Sequence, residues 1–245
     1  SATDKGTKLL YLNGTDVVDS NIGKLSNDIS PQLAANLDTN AKNILIDNGN
    51  FIGDESGNEQ IKFATTASAT NEITVTNAAA GNDPAISATG GDTNVGITLT
   101  PKGTGRITAN GEAKIFGVFE GVTVSDTYIT AFTYDILTQA VYFQNVNLGS
   151  DFTVDIRGDG SNALNAVMAT GESVTMALIT KQANTTFFNT SYVLIDGTTT
   201  NVTTVWQGGA APTVGNASSN DVYTYTAIKT AASTYTVLAS QTQFK

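Results

Sequence analysis

Residues 222–240 read VYTYTAIKTAASTYTVLAS, two runs in which threonine alternates with aromatic and aliphatic residues. β-Branched and aromatic side chains suit a strand because they pack well on a pleated surface. Aromatic or β-branched residues occupy both faces of the first run. We therefore expect both faces to be covered, one by an opposing sheet and one by a neighbour. The stretch predicts sheet structure, and similar segments recur through the second half of the chain.

Nine such segments, joined by short turns, lie between residues 116 and 240. They are 116–124, 128–136, 140–148, 152–157, 173–180, 192–195, 202–206, 222–230 and 234–240. A single helical turn is expected around residues 162–168. Many short strands at this spacing are typical of an all-β sandwich, and we expect an antiparallel one of jelly-roll type.

The aromatic residues divide the chain into two regions. Residues 1–113 hold only Tyr11, Phe51 and Phe63, whereas residues 114–245 hold the other 16 of the 19 aromatics. Because aromatic side chains bury the most area per residue, the second region can build a conventional core and the first cannot easily do so alone. We expect a repetitive β-rich shaft or attachment region at 1–113 and a β-sandwich head domain at 114–245.

The first region carries a degenerate repeat of short strand and turn. Apolar residues come in pairs at alternate positions, and the pairs begin 10 to 13 residues apart: Ile61 with Phe63, Ile73 with Val75, Ile86 with Ala88, Ile97 with Leu99, and Ile107 with Ala109. Each unit must bury its apolar face against the next repeat or against other chains. An intertwined homotrimer is favoured, and a single-chain solenoid or small sandwich and a disordered stalk are the alternatives.

Composition argues against several classes of function. Charged residues make up 14% of the chain, the net charge is −10, and no Lys or Arg cluster is present to neutralise a phosphate backbone. The chain contains no histidine, the commonest general base and metal ligand, and no cysteine. We therefore expect no nucleic-acid partner, no cofactor, no metal site and no enzymatic activity. No apolar run is long enough to predict membrane insertion.

Trp206 is the one candidate for a glycan contact. It is the only tryptophan and is followed by QGG, and an aromatic face can cover the apolar face of a sugar ring. A core or interface tryptophan is the alternative that we favour.

A glycosidase needs two carboxylates that face each other across the bond to be cleaved. Glu120 and Glu172 are the only glutamates of residues 114–245, and nothing in the sequence places them together.

Other motifs have simpler interpretations as turns. The tripeptide at Arg157, Gly158 and Asp159 matches an integrin-binding motif, but RGDGSN also provides what a tight turn requires. Asp151, Asp155 and Asp159 are spaced by four and could hold calcium through their carboxylates, and the acidic segment 47–59 could also take a hard cation. The PKGTGR segment, 101–106, lacks the following helix of a phosphate-binding loop.

Four strings resemble known proteins. PQLAANLDTNAKNILI at 31–46 and GITLTPKGTGRITANGE at 96–112 resemble repeat units in structural proteins of marine cyanophages and related tailed bacteriophages. The runs at 152–180 and 206–244 resemble a terminal domain in virion proteins of the same viruses. The resemblance implies a virion component such as a fibre or a capsid decoration, usually a trimer, and it supplies no catalytic residues.

The sequence thus predicts a structural component of a bacteriophage virion, a trimeric fibre or appendage on the particle surface. Its expected partners are further copies of itself and other virion proteins. A module that binds host-surface glycan or protein, and a capsid decoration or cement protein, are the alternatives.

Overall fold

The computed structural model describes Leu10–Leu12, Val17–Asp19 and residues 42–245. The chain forms two compact units, which divide between Ile97 and Thr98. Nearly all regular structure in the described ranges is β-strand, which confirms the predicted all-β class. The described helices are too short to cross a membrane. Residues 31–41, part of the first phage-like string, lie outside the described ranges.

The first unit contains separate two-stranded antiparallel sheets. In its described residues, β1 (Leu10–Leu12) pairs with β2 (Val17–Asp19), β3 (Phe51–Gly53) with β4 (Glu59–Lys62), and β5 (Asn71–Thr76) with β6 (Ala85–Gly90). The β5–β6 hairpin is amphipathic in the way that the alternation predicts. Ile73 and Val75 lie opposite Ala88 and Ile86 on one face, while Thr74 lies on the other.

The second unit has nine strands, one α-helical turn and a short 3-10 turn at Gln207–Gly209. The strands and the α-helical turn are β7 (Val122–Ser125), β8 (Ala131–Asp135), β9 (Val141–Asn147), β10 (Phe152–Arg157), α1 (Leu164–Val167), β11 (Ser173–Lys181), β12 (Asn189–Ile195), β13 (Val202–Trp206), β14 (Asn220–Ala231) and β15 (Thr234–Phe244). Each predicted strand is present, with boundaries that differ by a few residues. The largest difference is in the first, which begins only at Val122.

These strands form two layers. One sheet has six strands in the order β13-β15-β14-β11-β9-β7, and the other has three in the order β12-β10-β8. From β7 to β13 the chain enters the two sheets alternately. Strands that become neighbours in one sheet are therefore separated along the chain by a strand of the other sheet.

The strand pairing corrects the expected antiparallel, jelly-roll arrangement. Only β11 with β14 and β14 with β15 pair antiparallel, whereas the other five pairs of the second unit are parallel. The alternation between sheets explains four of the five parallel pairs, because every second strand from β7 to β12 returns to its sheet in the same direction, and β13 and β15 are parallel because the antiparallel strand β14 lies between them in the chain. The alternation of side chains in the sequence cannot distinguish parallel from antiparallel pairing, since the period of two is the same in both kinds of sheet.

The core lies between the two sheets. Phe152 of the three-stranded sheet packs edge-on against Phe132 at 5.0 Å between ring centroids and against Tyr223 of the six-stranded sheet at 5.3 Å. All three side chains are buried. Edge-to-face aromatic pairs of this kind add to the stabilisation from buried area, and the Phe152–Tyr223 pair joins the two layers.

The helical turn α1 is held at both ends by side chains distant in the sequence. The Asp196 carboxylate accepts the backbone N–H groups of Leu164 at 2.7 Å and Asn165 at 3.1 Å. The buried Lys229 ammonium donates to the carbonyl oxygens of Asn165 and Met168, both at 2.7 Å. An anion at the first turn and a cation at the last complement the unpaired backbone groups of a helix.

Candidate functional site

A polar hollow of about 440 Å³ lies where strands β9, β11 and β14 meet the loops at one end of the second unit. Amide, hydroxyl and ammonium side chains line it, including Asn147, Lys181, Asn184 and Ser218. The Ser218 hydroxyl donates to Asn184 Oδ1 at 2.6 Å, which joins the two loops. Such a lining can hydrogen-bond to the hydroxyl groups of a sugar or to an anionic group.

A buried polar network supports this hollow. The amide of Gln182 donates to Asp221 Oδ2 at 2.8 Å and to the Phe187 carbonyl at 2.6 Å, and the Asn216 N–H donates to the same carboxylate. Gly215 is packed so closely that a Cβ would lie 2.5 Å from Gln182 Nε2 and 2.7 Å from Asp221 Oδ2. Burial raises the pKa of Asp221, while these hydrogen bonds act in the opposite direction.

Trp206, the sequence candidate for a glycan contact, lies in the core. Its side chain is 8% exposed, its ring packs edge-on against Tyr225, and its indole N–H donates to the Ser191 carbonyl at 2.9 Å. A stacking platform needs an open ring face. The geometry is that of a core tryptophan, the alternative that the sequence analysis favoured.

Each of the three aspartates spaced by four accepts a hydrogen bond from a backbone N–H group. Asp151 accepts the N–H of Phe188, Asp155 accepts the N–H of Gly197, and Asp159 accepts two N–H groups of its own turn. Within residues 42–245 and the two described N-terminal strands, no three acidic side chains gather into a potential metal site. These carboxylates therefore act as loop anchors in the described chain.

The RGD tripeptide forms a closed turn. Arg157 Nε donates to Asp135 Oδ1 at 2.6 Å, and Asp159 accepts from the backbone of Ser161 and from Asn162. These hydrogen bonds lower the pKa of Asp159. Both charged groups of the motif are thus engaged by their own domain.

Two further acidic candidates, Asp54 and Glu172, make local contacts. In the 47–59 segment, Asp54 accepts the N–H groups of Ser56 and Asn58, as in an Asx turn between β3 and β4. Glu172 pairs with Arg106 at 2.7 Å and accepts the Ala169 N–H. Hydrogen bonding to Arg106 lowers the pKa of Glu172, the direction opposite to that of a general acid.

The six-stranded sheet has an outward side that faces away from the core. We call it the outer face and define it by three rows of side chains in register across the strands. The rows are Val205, Leu238, Thr226 and Thr175; then Ser240, Thr224, Ala177, Val141 and Val122; then Thr242, Val222, Ile179, Phe143 and Val124. Every member is neutral, and 9 of the 14 are aliphatic or aromatic.

No protein-family model, curated protein or solved structure matches the chain. Its function is therefore inferred from its residues and their geometry. The polar hollow was not predicted from sequence, since its lining comes from segments about 35 residues apart that carry only common turn residues. β-Branched and aromatic residues on both sides of residues 222–230 predict that a neighbour covers the second face of this strand, and in the single chain that side is open to solvent at both ends.

Proposed function

We propose that this protein is a structural component of a bacteriophage virion, a homotrimeric fibre or appendage in which the N-terminal repeats of three copies intertwine. One observation carries the proposal: the apolar face of the repeats is uncovered in a single chain. In the β5–β6 hairpin, Val75 is 76% exposed, Ile86 68% and Ile73 55%. An isolated two-stranded hairpin is marginally stable in water, so this face needs a partner surface.

The same exposure continues beyond the hairpins. Leu99 and Ile107 are exposed, and Phe116 is 91% exposed in a segment whose sequence predicts a strand. The ladder stops at Val122 because its partner β9 begins at Val141, directly opposite. Residues 116–121 have side chains that suit a strand, but they do not pair with β9. Neighbouring copies would supply both the missing ladder and the missing apolar contacts.

The virion setting and the number three rest on the resemblance of residues 31–46, 96–112, 152–180 and 206–244 to phage structural proteins. The composition agrees with such a role, since threonine, alanine, asparagine and glycine are the commonest residues of a chain with few charges. Other virion proteins would be its further partners at the particle surface. A capsid decoration protein would share this trimeric architecture and differ in its position on the particle.

Light scattering and native mass spectrometry of the full chain test the proposal. We expect three times the 25.4 kDa chain mass. Val75→Lys places a charge on the apolar face of the hairpin and should reduce the number of associated copies. Thr74→Lys, on the opposite face of the same strand, is the matched control and should leave the trimer intact.

A monomer at micromolar concentration whose N-terminal half resists protease would contradict the proposal, because the repeats would then stack within one chain. Electron microscopy of intact particles with a bound antibody would distinguish a tail, neck or capsid position.

The polar hollow favours a second function, recognition of a host-surface glycan by the C-terminal unit. Its lining of Asn147, Lys181, Asn184 and Ser218 offers donors and acceptors without need of Trp206. Glycan-array binding by the full chain should weaken at least fivefold with Asn184→Ala. Trp206→Phe should leave it unchanged, provided that the variant folds. Absence of binding to any glycan or to host cells would limit the protein to its architectural role.

A further inference from the structure

The two sheets of the second unit differ in the chemistry of their outward sides. The three-stranded sheet carries charged groups there: Asp155 and the Arg157–Asp135 pair. The outer face of the six-stranded sheet carries no charged side chain, and Lys181 lies one row beyond it. Because solvent-facing sheet surfaces are normally polar, the charged side is the one that suits water.

Apolar side chains at both ends of the outer face are open to solvent in the single chain. Leu238 and Val205, which are paired across β15 and β13, are 47% and 46% exposed, and Val122 and Val124 of the opposite edge strand are also exposed. Between them lie threonines such as Thr224 and Thr226. The outer face is therefore a continuous neutral surface and not a set of scattered apolar residues.

The charge distribution favours another copy of the same chain as the occupant. The protein has 22 acidic and 12 basic residues, so two copies repel each other over most approaches. None of these residues lies on the outer face. Two copies that meet there bury no unpaired charge and bring no like charges into contact, which removes the main cost of self-association.

The size of the face is adequate for this contact. The 14 side chains of the outer face, on strands about 4.8 Å apart and in rows about 6.8 Å apart, cover about 450 Å² per copy. In a trimer, three such faces that meet around the three-fold axis bury about 1,350 Å² in total. Copies joined through their N-terminal repeats would meet at millimolar effective concentration, so a modest interface is sufficient.

We propose that the outer face is the surface through which the C-terminal units of neighbouring copies pack together, an inference that rests on the trimer proposed above. The chain has no cysteine, so a single introduced cysteine takes a spin label at one known position. Leu238→Cys labels the outer face. Thr133→Cys, on the outward side of the three-stranded sheet, is the matched control.

Double electron–electron resonance on the full-length trimer measures the distances between copies. Packed sheets lie about 10 Å apart, so labels at position 238 should fall within about 25 Å once their arms are included. Labels at 133 lie on the far layer of each sandwich and should be at least about 20 Å farther apart. A trimer with the 238 labels as far apart as the 133 labels overturns this inference and leaves the proposed function standing. A monomer overturns both.

Discussion

Replacing Lys229 with methionine should destabilise the C-terminal unit by about 2–3 kcal/mol. The Lys229 side chain is 6% exposed, and its ammonium donates to the carbonyls of Asn165 and Met168 at 2.7 Å. Hydrogen bonds from a charged donor contribute about 1.5–3 kcal/mol each, so the gross loss is about 3–6 kcal/mol. Methionine keeps the buried stem and removes the cost of burying an ammonium, which offsets part of this loss.

Thermal unfolding of the full chain, followed by Trp206 fluorescence, measures the effect. Trp206 is the only tryptophan and is buried in the second unit, so its signal reports on that unit. A loss of this size lowers Tm by roughly 5–10 °C for a domain of about 150 residues. Lys181→Met, at the exposed end of β11, should change Tm by no more than about 1 °C. Equal shifts for the two variants would refute the reasoning that Lys229 anchors α1.

Three further outcomes are expected. Gly215→Ala should lower the unfolding midpoint markedly, because its Cβ would lie within 2.7 Å of buried polar atoms, whereas Gly160→Ala, with its nearest atom at 3.9 Å, should be neutral. Burial raises the pKa of Asp221 above its ordinary 3.8, so protonation favours the folded state. The stability of the wild type relative to Asp221→Asn should therefore rise as pH falls from 7 toward 4, and urea titrations that show the reverse would contradict this. Circular dichroism should show a cooperative thermal transition for the fragment 114–245 and none for the fragment 1–113. The opposite result would show that the first region contains the core.

The strands and the helical turn of the second unit were predictable because their signals are local. Alternating apolar and polar residues locate strands such as β10 and β13, whose observed boundaries match the predicted ones. The predicted strand at 116–124 was too long at its start. Its sequence is suitable for a strand throughout, but β9 supplies a partner only from Val122 onward.

The candidate sites were less accessible to sequence reasoning. A lone Trp206 is consistent with a sugar platform or with a core residue, and only its burial against Tyr225 distinguishes the two. Lys229 lies in a strand whose alternation merely places it inward. Its role depends on α1, about 60 residues earlier in the chain, coming to lie above β14.

Composition and residue spacing are sufficient to predict a β protein with an aromatic-rich C-terminal region and an aromatic-poor repetitive region before it. These properties follow from side-chain shape and from a period of two, which act over a few neighbouring residues. Three features require the folded chain: most strands of the second unit pair in parallel, the polar hollow joins loops distant in sequence, and neutral residues of six different strands align into one outer face. Each of these depends on which distant strands become neighbours, and that is set by the path of the chain between two sheets.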